Sequence, residues 1–503
     1  MVATEAKGIP EDASLLWCRG PIEDAEPLAA HIPGTVTLVA PTERGRTLTV
    51  LAALKSKNMF PATWLTPLLA ILSDATGERV GQDAVKLNIS YYLFAGKKEM
   101  CPYAGRYREA VYHFCRLRKT QCSLFRPLLK AIPPPFSRWK ELKEWALANG
   151  LCPYYLQFAV AKDAQLVIAH YSASWQVKRG VLVVDEAHRI LIPREKRLSI
   201  EKCRKALEVI RTYDEELYAQ LRKIETGKVD VELWAIERAI DYFLDHPLSG
   251  KVLNFLGFMH EAITSGAVLR INGGIIRAYL PPQLPKGSIT TVYLTEILPD
   301  FQDFPTNSIS TFIIRVPFKP RTAYVTKWLT SRFERETFGG YRELVEEVLR
   351  FGAKRVVFFA PKRLVPIVKP RVNYFEEVPP EDWEGVACFL QRSRFSEGVS
   401  LTADVIVVLG APFLPPEVTS SLESFYGASR DAAIAVPMVI ATLQSIRGAI
   451  WREKDGPLIL LADRRFARYE KYFKPYLQLK EISREELEKL REFFSRGGSS
   501  ASA

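Results

Sequence analysis

Residues 181–188 read Val181-Leu182-Val183-Val184-Asp185-Glu186-Ala187-His188, four apolar residues that end abruptly in two adjacent carboxylates. An unbroken aliphatic run of this kind predicts a strand buried on both faces, as in a parallel sheet. The strand would deliver Asp185 and Glu186 to its carboxyl end, the edge at which open α/β sheets bind ligands. Adjacent carboxylates there suit nucleotide chemistry. Asp185 would hold Mg²⁺ on a phosphate, and Glu186 would orient or deprotonate the attacking water. The same pair could instead do no more than cap and solvate a strand end, so the rest of the chain has to decide.

With 503 residues, 48% of them apolar and 25% charged, the chain predicts a globular protein of roughly two to four domains. No signal peptide and no apolar run near about 18 residues stand out in the sequence, which predicts a cytoplasmic protein without a membrane partner. A net charge of +12 favours a polyanionic partner, which would make the protein nucleoid-associated. Sparse Asn and Gln beside abundant Lys, Arg and Glu point to a thermophile.

Other strands are expected at 35–40, 165–170, 268–280, 289–294, 355–360, 386–390, 404–409 and 458–462. A helix is expected from Thr47 to about Lys55, and a long helical region at 199–265, where Ile200, Leu207, Ile210, Leu217, Leu221 and Ile224 recur at helical spacing. Gly/Pro-rich stretches near 281–287 and 316–321 read as connections. The tail 496–503 reads as disordered.

Between the first strand and its helix lies Ala40-Pro41-Thr42-Glu43-Arg44-Gly45-Arg46-Thr47, where a phosphate loop belongs. Such a loop needs glycines to curl backbone N–H groups around phosphates, and a Lys to reach the outer oxygens. Gly45 and Thr47 are present; Glu43 stands where a glycine is wanted, and Arg46 replaces the Lys with a bulkier, planar cation. Combined with Asp185 and Glu186, the stretch reads as an eroded phosphate loop.

Four of the seven cysteines, Cys101, Cys115, Cys122 and Cys152, fall within 52 residues at gaps of 13, 6 and 29. The lack of a Cys-x-x-Cys pair argues against structural zinc, while thiolates from separated segments can hold an iron–sulfur cluster; free buried thiols are the plain alternative. Residues 101–130 carry seven cations against one acid, a local net of +6. Arg106, Arg108, Arg116, Arg118 and Lys119 alternate there with Tyr107 and Tyr112. Cations that track phosphates and rings that stack bases are the means of single-strand binding. A merely solvated basic face is the other reading.

In the second half, Ser396-Glu397-Gly398 precedes a strand, and Gln444-Ser445-Ile446-Arg447-Gly448-Ala449-Ile450-Trp451-Arg452 precedes another that ends in Asp463-Arg464-Arg465-Phe466. Helices presenting Gln and Arg to an interlobe cleft supply arginine fingers in nucleotide-driven motors.

Taken in order, these residues resemble the XPD-like iron–sulfur DNA helicases of superfamily 2, related to DinG and the FancJ group. The resemblance covers most of the chain. It runs through the loop at 40–47, Phe94-Ala95-Gly96-Lys97 before Cys101, Cys152-Pro153-Tyr154-Tyr155, Ile168-Ala169-His170-Tyr171 and the Asp-Glu-Ala-His strand to Ser396-Glu397-Gly398 and Asp463-Arg464-Arg465-Phe466. It implies an α/β fold with two RecA-like parallel-sheet lobes, the first interrupted by an iron–sulfur module and a helical arch. The implied division is a first lobe at 1–98, 156–198 and 266–305, the cysteine module at 99–155, the arch at 199–265 and a second lobe at 306–495.

By the same resemblance, Cys101, Cys115, Cys122 and Cys152 would hold a 4Fe-4S iron–sulfur cluster. Asp185, Glu186, Gln444, Arg447 and Arg452 would be catalytic, and Gly45, Arg46, Thr47 and Glu397 would contact ATP and Mg²⁺. Arg106, Tyr107, Arg108, Tyr112, Arg116, Arg118 and Lys119 would meet single-stranded or forked DNA.

The departures fall on ATP handling. The family's Gly-Ser-Gly-Lys-Thr is Glu43-Arg44-Gly45-Arg46-Thr47 here, and its third motif corresponds to Thr295-Glu296-Ile297-Leu298-Pro299. The N-terminal Arg-x-x-Gln has no match, since Arg19 is followed by Ile22. In the last motif Arg447-Gly448 inverts the family's Gly-Arg pair and Trp451 takes the second Arg position. Arg447 and Arg452 are each one residue out of place, a swing of about 100° around a helix. The resulting expectation is a DNA-binding pseudo-helicase, a single-stranded-DNA-binding scaffold or accessory subunit that positions a partner nuclease or helicase, with ATP and Mg²⁺ handling impaired or lost. A working ATP-dependent 5′→3′ helicase in DNA repair and an iron–sulfur redox or protein-interaction module are the alternatives. His188 is expected to bridge motifs by hydrogen bonding.

Overall fold

The computed structural model describes residues 25–30, 32, 34–40, 45–67, 76–107, 110–125, 133–173, 180–226, 231–246, 250–282, 290–298, 311–315, 319–332, 338–393, 402–423, 430–450 and 456–495. Pro41–Arg44, Arg108, Glu397, Trp451, Arg452 and the tail therefore lie outside the described residues.

The first 315 residues supply strands β1 (Thr35–Val39), β2 (Ala62–Thr66), β3 (Tyr91–Phe94), β4 (Leu166–His170), β5 (Val181–Val184), β6 (Arg194–Ser199), β7 (Val268–Asn272), β8 (Ile275–Leu280), β9 (Thr291–Thr295) and β10 (Thr311–Arg315). Seven of them form one parallel sheet in the order β10-β1-β9-β5-β2-β4-β3. β5 is interior, between β2 and β9, with Val184 beside Leu65 and Tyr293. All four of its apolar residues are at most 2% exposed. Each such side chain stabilises the fold by about 1.5–3 kcal/mol, which is why the run carries no polar residue until the sheet ends.

The residues after them supply β11 (Arg321–Thr326), β12 (Arg355–Ala360), β13 (Tyr374–Phe375), β14 (Gly385–Leu390), β15 (Val405–Leu409), β16 (Leu458–Ala462) and β17 (Leu477–Ile482). They form a second parallel sheet, β13-β14-β12-β15-β16-β11-β17. Helices cover both sheets. The ones that matter below are α1 (Arg46–Ser56), α2 (Val111–Arg118), α3 (Pro153–Asp163), α4 (Ile200–Tyr213), α5 (Leu233–Leu244), α6 (Gly250–Thr264), α7 (Pro416–Glu423) and α8 (Arg430–Ile450).

Two boundaries differ from those expected. β10 pairs with β1, so the first sheet takes its last strand from residues beyond 305. The arch also reaches past 199–265, because β6, β8 and β7 form an antiparallel sheet whose Leu198, Ile276, Ala278 and Leu280 share one core with α4, α5 and α6. Hydrophobic periodicity finds helices well but does not say which core a short amphipathic strand joins.

One helix is longer and more apolar than the sequence led us to expect. α8 is by composition long and apolar enough to span a membrane, with mean hydropathy 1.5 over its best window. That window is 83% buried inside the protein, so α8 is a core helix that runs unbroken through Pro437.

Candidate nucleotide cleft and nucleic-acid interface

The carboxyl edge of β5 carries Asp185 and Glu186, as the sequence requires. α1 starts at the carboxyl end of β1, behind Gly45, whose φ of 69° is the left-handed conformation that glycine adopts freely. Arg46 is the first residue of that helix and is 4% exposed. Its Nη2 donates to Asp185 Oδ1 at 2.9 Å and to Glu186 Oε1 at 3.2 Å, while Nη1 donates to the Ala40 carbonyl at 3.3 Å. One guanidinium thus ties the loop after β1 to both carboxylates after β5. Thr47 is half-buried on the first turn of α1.

The electrostatics follow from this contact. Burial opposes the charge on Arg46, but Asp185, Glu186 and Glu296 outweigh it and raise its pKa. Burial pushes Asp185 up to about 6, partly offset by Arg46. Glu186 has φ 49°, a left-handed conformation costly to a non-glycine residue, and its N–H donates to Asp185 Oδ1 at 2.9 Å. Tyr171, to which the sequence assigned no role beyond its place in the Ile168–Tyr171 stretch, donates its hydroxyl to the Asp185 carbonyl. Chemically, the guanidinium supplies beside Asp185 the positive charge that a divalent cation supplies in nucleotide-hydrolysing sites.

From the second lobe, α8 brings Gln444 and Arg447 to the same cleft. Gln444 Nε2 lies 2.8 Å from His188 Nε2, and Arg447 Nη1 donates to Glu296 Oε2 at 3.4 Å. His188 therefore bridges motifs, as expected. Glu296, which the sequence reading treated only as a departure, is 3% exposed and is Arg447's partner.

The cysteines arrive on four segments. Cys101 follows a short helix, Cys115 lies in α2, Cys122 follows a 3₁₀ turn, and Cys152 caps α3. Cys115 and Cys122 each add a small upward push to the Cys101 and Cys152 thiols. Burial pushes the Cys152 thiol up to about 11 and raises Cys101 as well. Cys115 Sγ lies 3.3 Å from the Tyr155 hydroxyl. The all-sulfur donor set fits an iron–sulfur cluster. Among the described residues, however, no three His, Cys, Asp or Glu side chains stand at metal-binding spacing.

The basic module divides its side chains between two jobs. Arg116 pairs with Glu237, and Arg118 with Asp241 and Asp245, so both are turned to α5. Tyr107 is 6% exposed and stacks on Phe114 at 4.1 Å inside the arch core. Arg106 and Tyr112 are exposed. Lys119 lies over the rings of Phe125 and Tyr155 at 4.4 and 4.5 Å. Lys97 lies over Tyr112 and Tyr154.

A second cationic feature escaped sequence reading. Arg197, Arg277 and Arg270 stand in register across β6, β8 and β7. The alternation in Arg194-Glu195-Lys196-Arg197 signals an edge strand but not the row.

Two RecA-like lobes with the second motif at the cleft define the helicase-type α/β fold. Solved structures narrow it. One described as an XPD helicase aligns over 93% of this chain and 99% of its own, at 17% identity and TM-score 0.67. An apo XPD structure aligns over 92% and 99%, at 16% identity and TM-score 0.59. Xpd4 of S. tokodaii aligns over 91% and 98%, at 14% identity and TM-score 0.56. The chain therefore has the XPD helicase fold. No family model matches it, and no curated protein does either.

Proposed function

We propose that this protein is an XPD-like helicase homologue that binds single-stranded or forked DNA with its ATP-driven motor disabled, and that it serves DNA repair as a scaffold or accessory subunit beside a nuclease or helicase. The supporting observation is the pairing of Arg46 with both Asp185 and Glu186. The side chain that should reach a nucleotide's outer phosphates instead neutralises the carboxylates that should hold Mg²⁺ and position water. Cys101, Cys115, Cys122 and Cys152 would hold a 4Fe-4S cluster, which when bound cross-links the module and supplies a redox centre. Arg106, Tyr112 and Lys119 would meet the nucleic acid, with Arg116 and Arg118 holding the module to the arch.

The test is steady-state ATP hydrolysis by anaerobically purified protein, with and without single-stranded DNA, against an Asp185→Asn/Glu186→Gln double variant. Turnover no higher than the variant's, with DNA still bound, supports the reading. DNA-stimulated turnover above it supports instead an active 5′→3′ helicase, the alternative favoured by the approach of Gln444 and Arg447 to the cleft.

A further inference from the structure

We propose that the two lobes are held closed without nucleotide by a side-chain clasp, making the protein a static clamp whose grip on a nucleic-acid strand does not respond to ATP. The inference rests on the reading of the cleft above and adds how that cleft is kept shut.

The clasp centres on His188, which is 2% exposed. Gln444 Nε2, from α8 of the second lobe, donates to His188 Nε2 at 2.8 Å, so that nitrogen is unprotonated. Its Nδ1 then carries the hydrogen and donates to Thr295 Oγ1 at 3.0 Å. The Thr295 hydroxyl passes its own hydrogen to the Ile297 carbonyl at 2.7 Å. Every donor in this chain meets an acceptor, which fixes one tautomer for a neutral ring. Burial lowers the pKa of His188 well below the ordinary range, in keeping with neutrality.

Three further contacts cross between the lobes. Arg447, almost one turn beyond Gln444, pairs with buried Glu296. The Leu298 N–H donates to the hydroxyl of Tyr476, a fully buried second-lobe residue, at 2.7 Å. Arg270 of the antiparallel sheet pairs with Glu417 of α7. One apolar core runs through both lobes, joining Val184, Ile297 and Leu298 to Val439, Leu443 and Ile446.

In a motor whose lobes close on a bound nucleotide, the facing carboxylates and arginines need the ligand's phosphates and metal between them. Here Arg46 satisfies the first-lobe carboxylates from within, and Glu186 Oε2 approaches His188 Nδ1 at 3.5 Å. The closed arrangement is thus balanced in charge along the Arg46–Glu186–His188–Gln444 line, with Gln444 Oε1 the one atom of that line left buried without a hydrogen-bond partner among the described residues, and a nucleotide has no differential interaction with which to shift the lobes.

Spin labels carried by non-canonical residues at Lys86 in the first lobe and Lys354 in the second, both exposed, report the interlobe distance in the full chain. The clasp predicts one narrow distribution, unchanged by Mg²⁺ with a non-hydrolysable ATP analogue. It also predicts that Gln444→Leu, which keeps the volume and removes the donor, broadens the distribution towards longer distances and speeds dissociation of single-stranded DNA about tenfold or more. Arg270→Ala, remote from the cleft and partly exposed, is the second variant, with the same direction and a smaller shift. A wild-type distribution that moves with nucleotide, or variants that leave both distribution and off-rate unchanged, overturns the clasp. Hydrolysis above the Asp185→Asn/Glu186→Gln baseline overturns the disabled-motor reading instead, so the two failures are told apart.

Discussion

At the scale of single residues, the chemistry turns on Arg46. A buried ion pair stripped of one partner loses about 3–5 kcal/mol, because the remaining charge stays desolvated. Arg46→Ala leaves Asp185 and Glu186 facing each other, so it should lower the unfolding free energy by about 3–5 kcal/mol, read as a lower melting temperature. Millimolar Mn²⁺ or Mg²⁺ should restore part of the loss, since the vacated place then accepts a divalent cation. The wild type should show no Mg²⁺-dependent rise, and a rise would contradict the guanidinium's role as counter-ion. His188 makes a second prediction. Burial, reinforced by Arg189, holds its folded pKa well below the ordinary value. The unfolded chain therefore takes up a proton that the folded chain refuses. The stabilisation is complete above about pH 6.5 and is lost as pH falls, by about 1.4 kcal/mol per pH unit. Asp185 acts in the opposite sense: its folded value is raised to about 6, so its contribution is present at low pH and lost as pH rises through that value. The difference between wild-type and His188→Asn melting curves from pH 7.5 to 5.5 isolates the histidine and should narrow as pH falls.

At the scale of elements, the same basic module uses like residues for unlike ends. α2 sets Arg116 and Arg118 on α5 through exposed ion pairs, worth about 0.2–1 kcal/mol each. Arg118→Ala should lower stability by no more than that and leave single-strand affinity within about twofold. Tyr112→Ala with Lys119→Ala removes a stacking face and a cation, and should weaken binding about tenfold or more in fluorescence anisotropy. Equal losses in both variants would mean that the arch pairs also shape the binding surface. The antiparallel sheet carries a related tension. Like charges directly opposite one another are destabilising, and Glu195 relieves the row by accepting from Arg197 at 2.8 Å and Arg277 at 2.7 Å. Glu195→Gln should lower the melting temperature while raising affinity for single-stranded DNA, as two cations lose their internal partner. A drop in both would show the row to be purely structural.

At the scale of the whole molecule, the net charge of +12 and the basic module place any nucleic-acid contact under counterion control. About four phosphate contacts would give a slope of log affinity against log salt near −3 for a single strand. With closed lobes, that slope should be the same with and without Mg·ATP. A nucleotide-dependent slope would mean that the contact set changes with lobe position.

The sequence alone determined the two α/β lobes, because strands buried on both faces must be apolar throughout: β5, β12, β15 and β16 stand almost where their runs predict. It also determined the placing of Asp185, Glu186 and the α1 turn at strand ends. β2, as Ala-Thr-Trp-Leu-Thr, and β10, as Thr-Phe-Ile-Ile-Arg, were not legible, since threonines bordering short runs mimic loops and sheet pairing supplies what composition does not. The boundaries at 305 and at 199–265 shifted for the same reason. What the tertiary structure decided is the meaning of the altered residues. Arg46 and Asp185 are 139 positions apart, and Gln444 and His188 are 256. A guanidinium can reach phosphate or carboxylate with equal ease, and no local pattern says which it meets. Only the folded chain, by burying Arg46 where desolvated charges must pair, turns an apparent loss of a phosphate ligand into an internal ion pair.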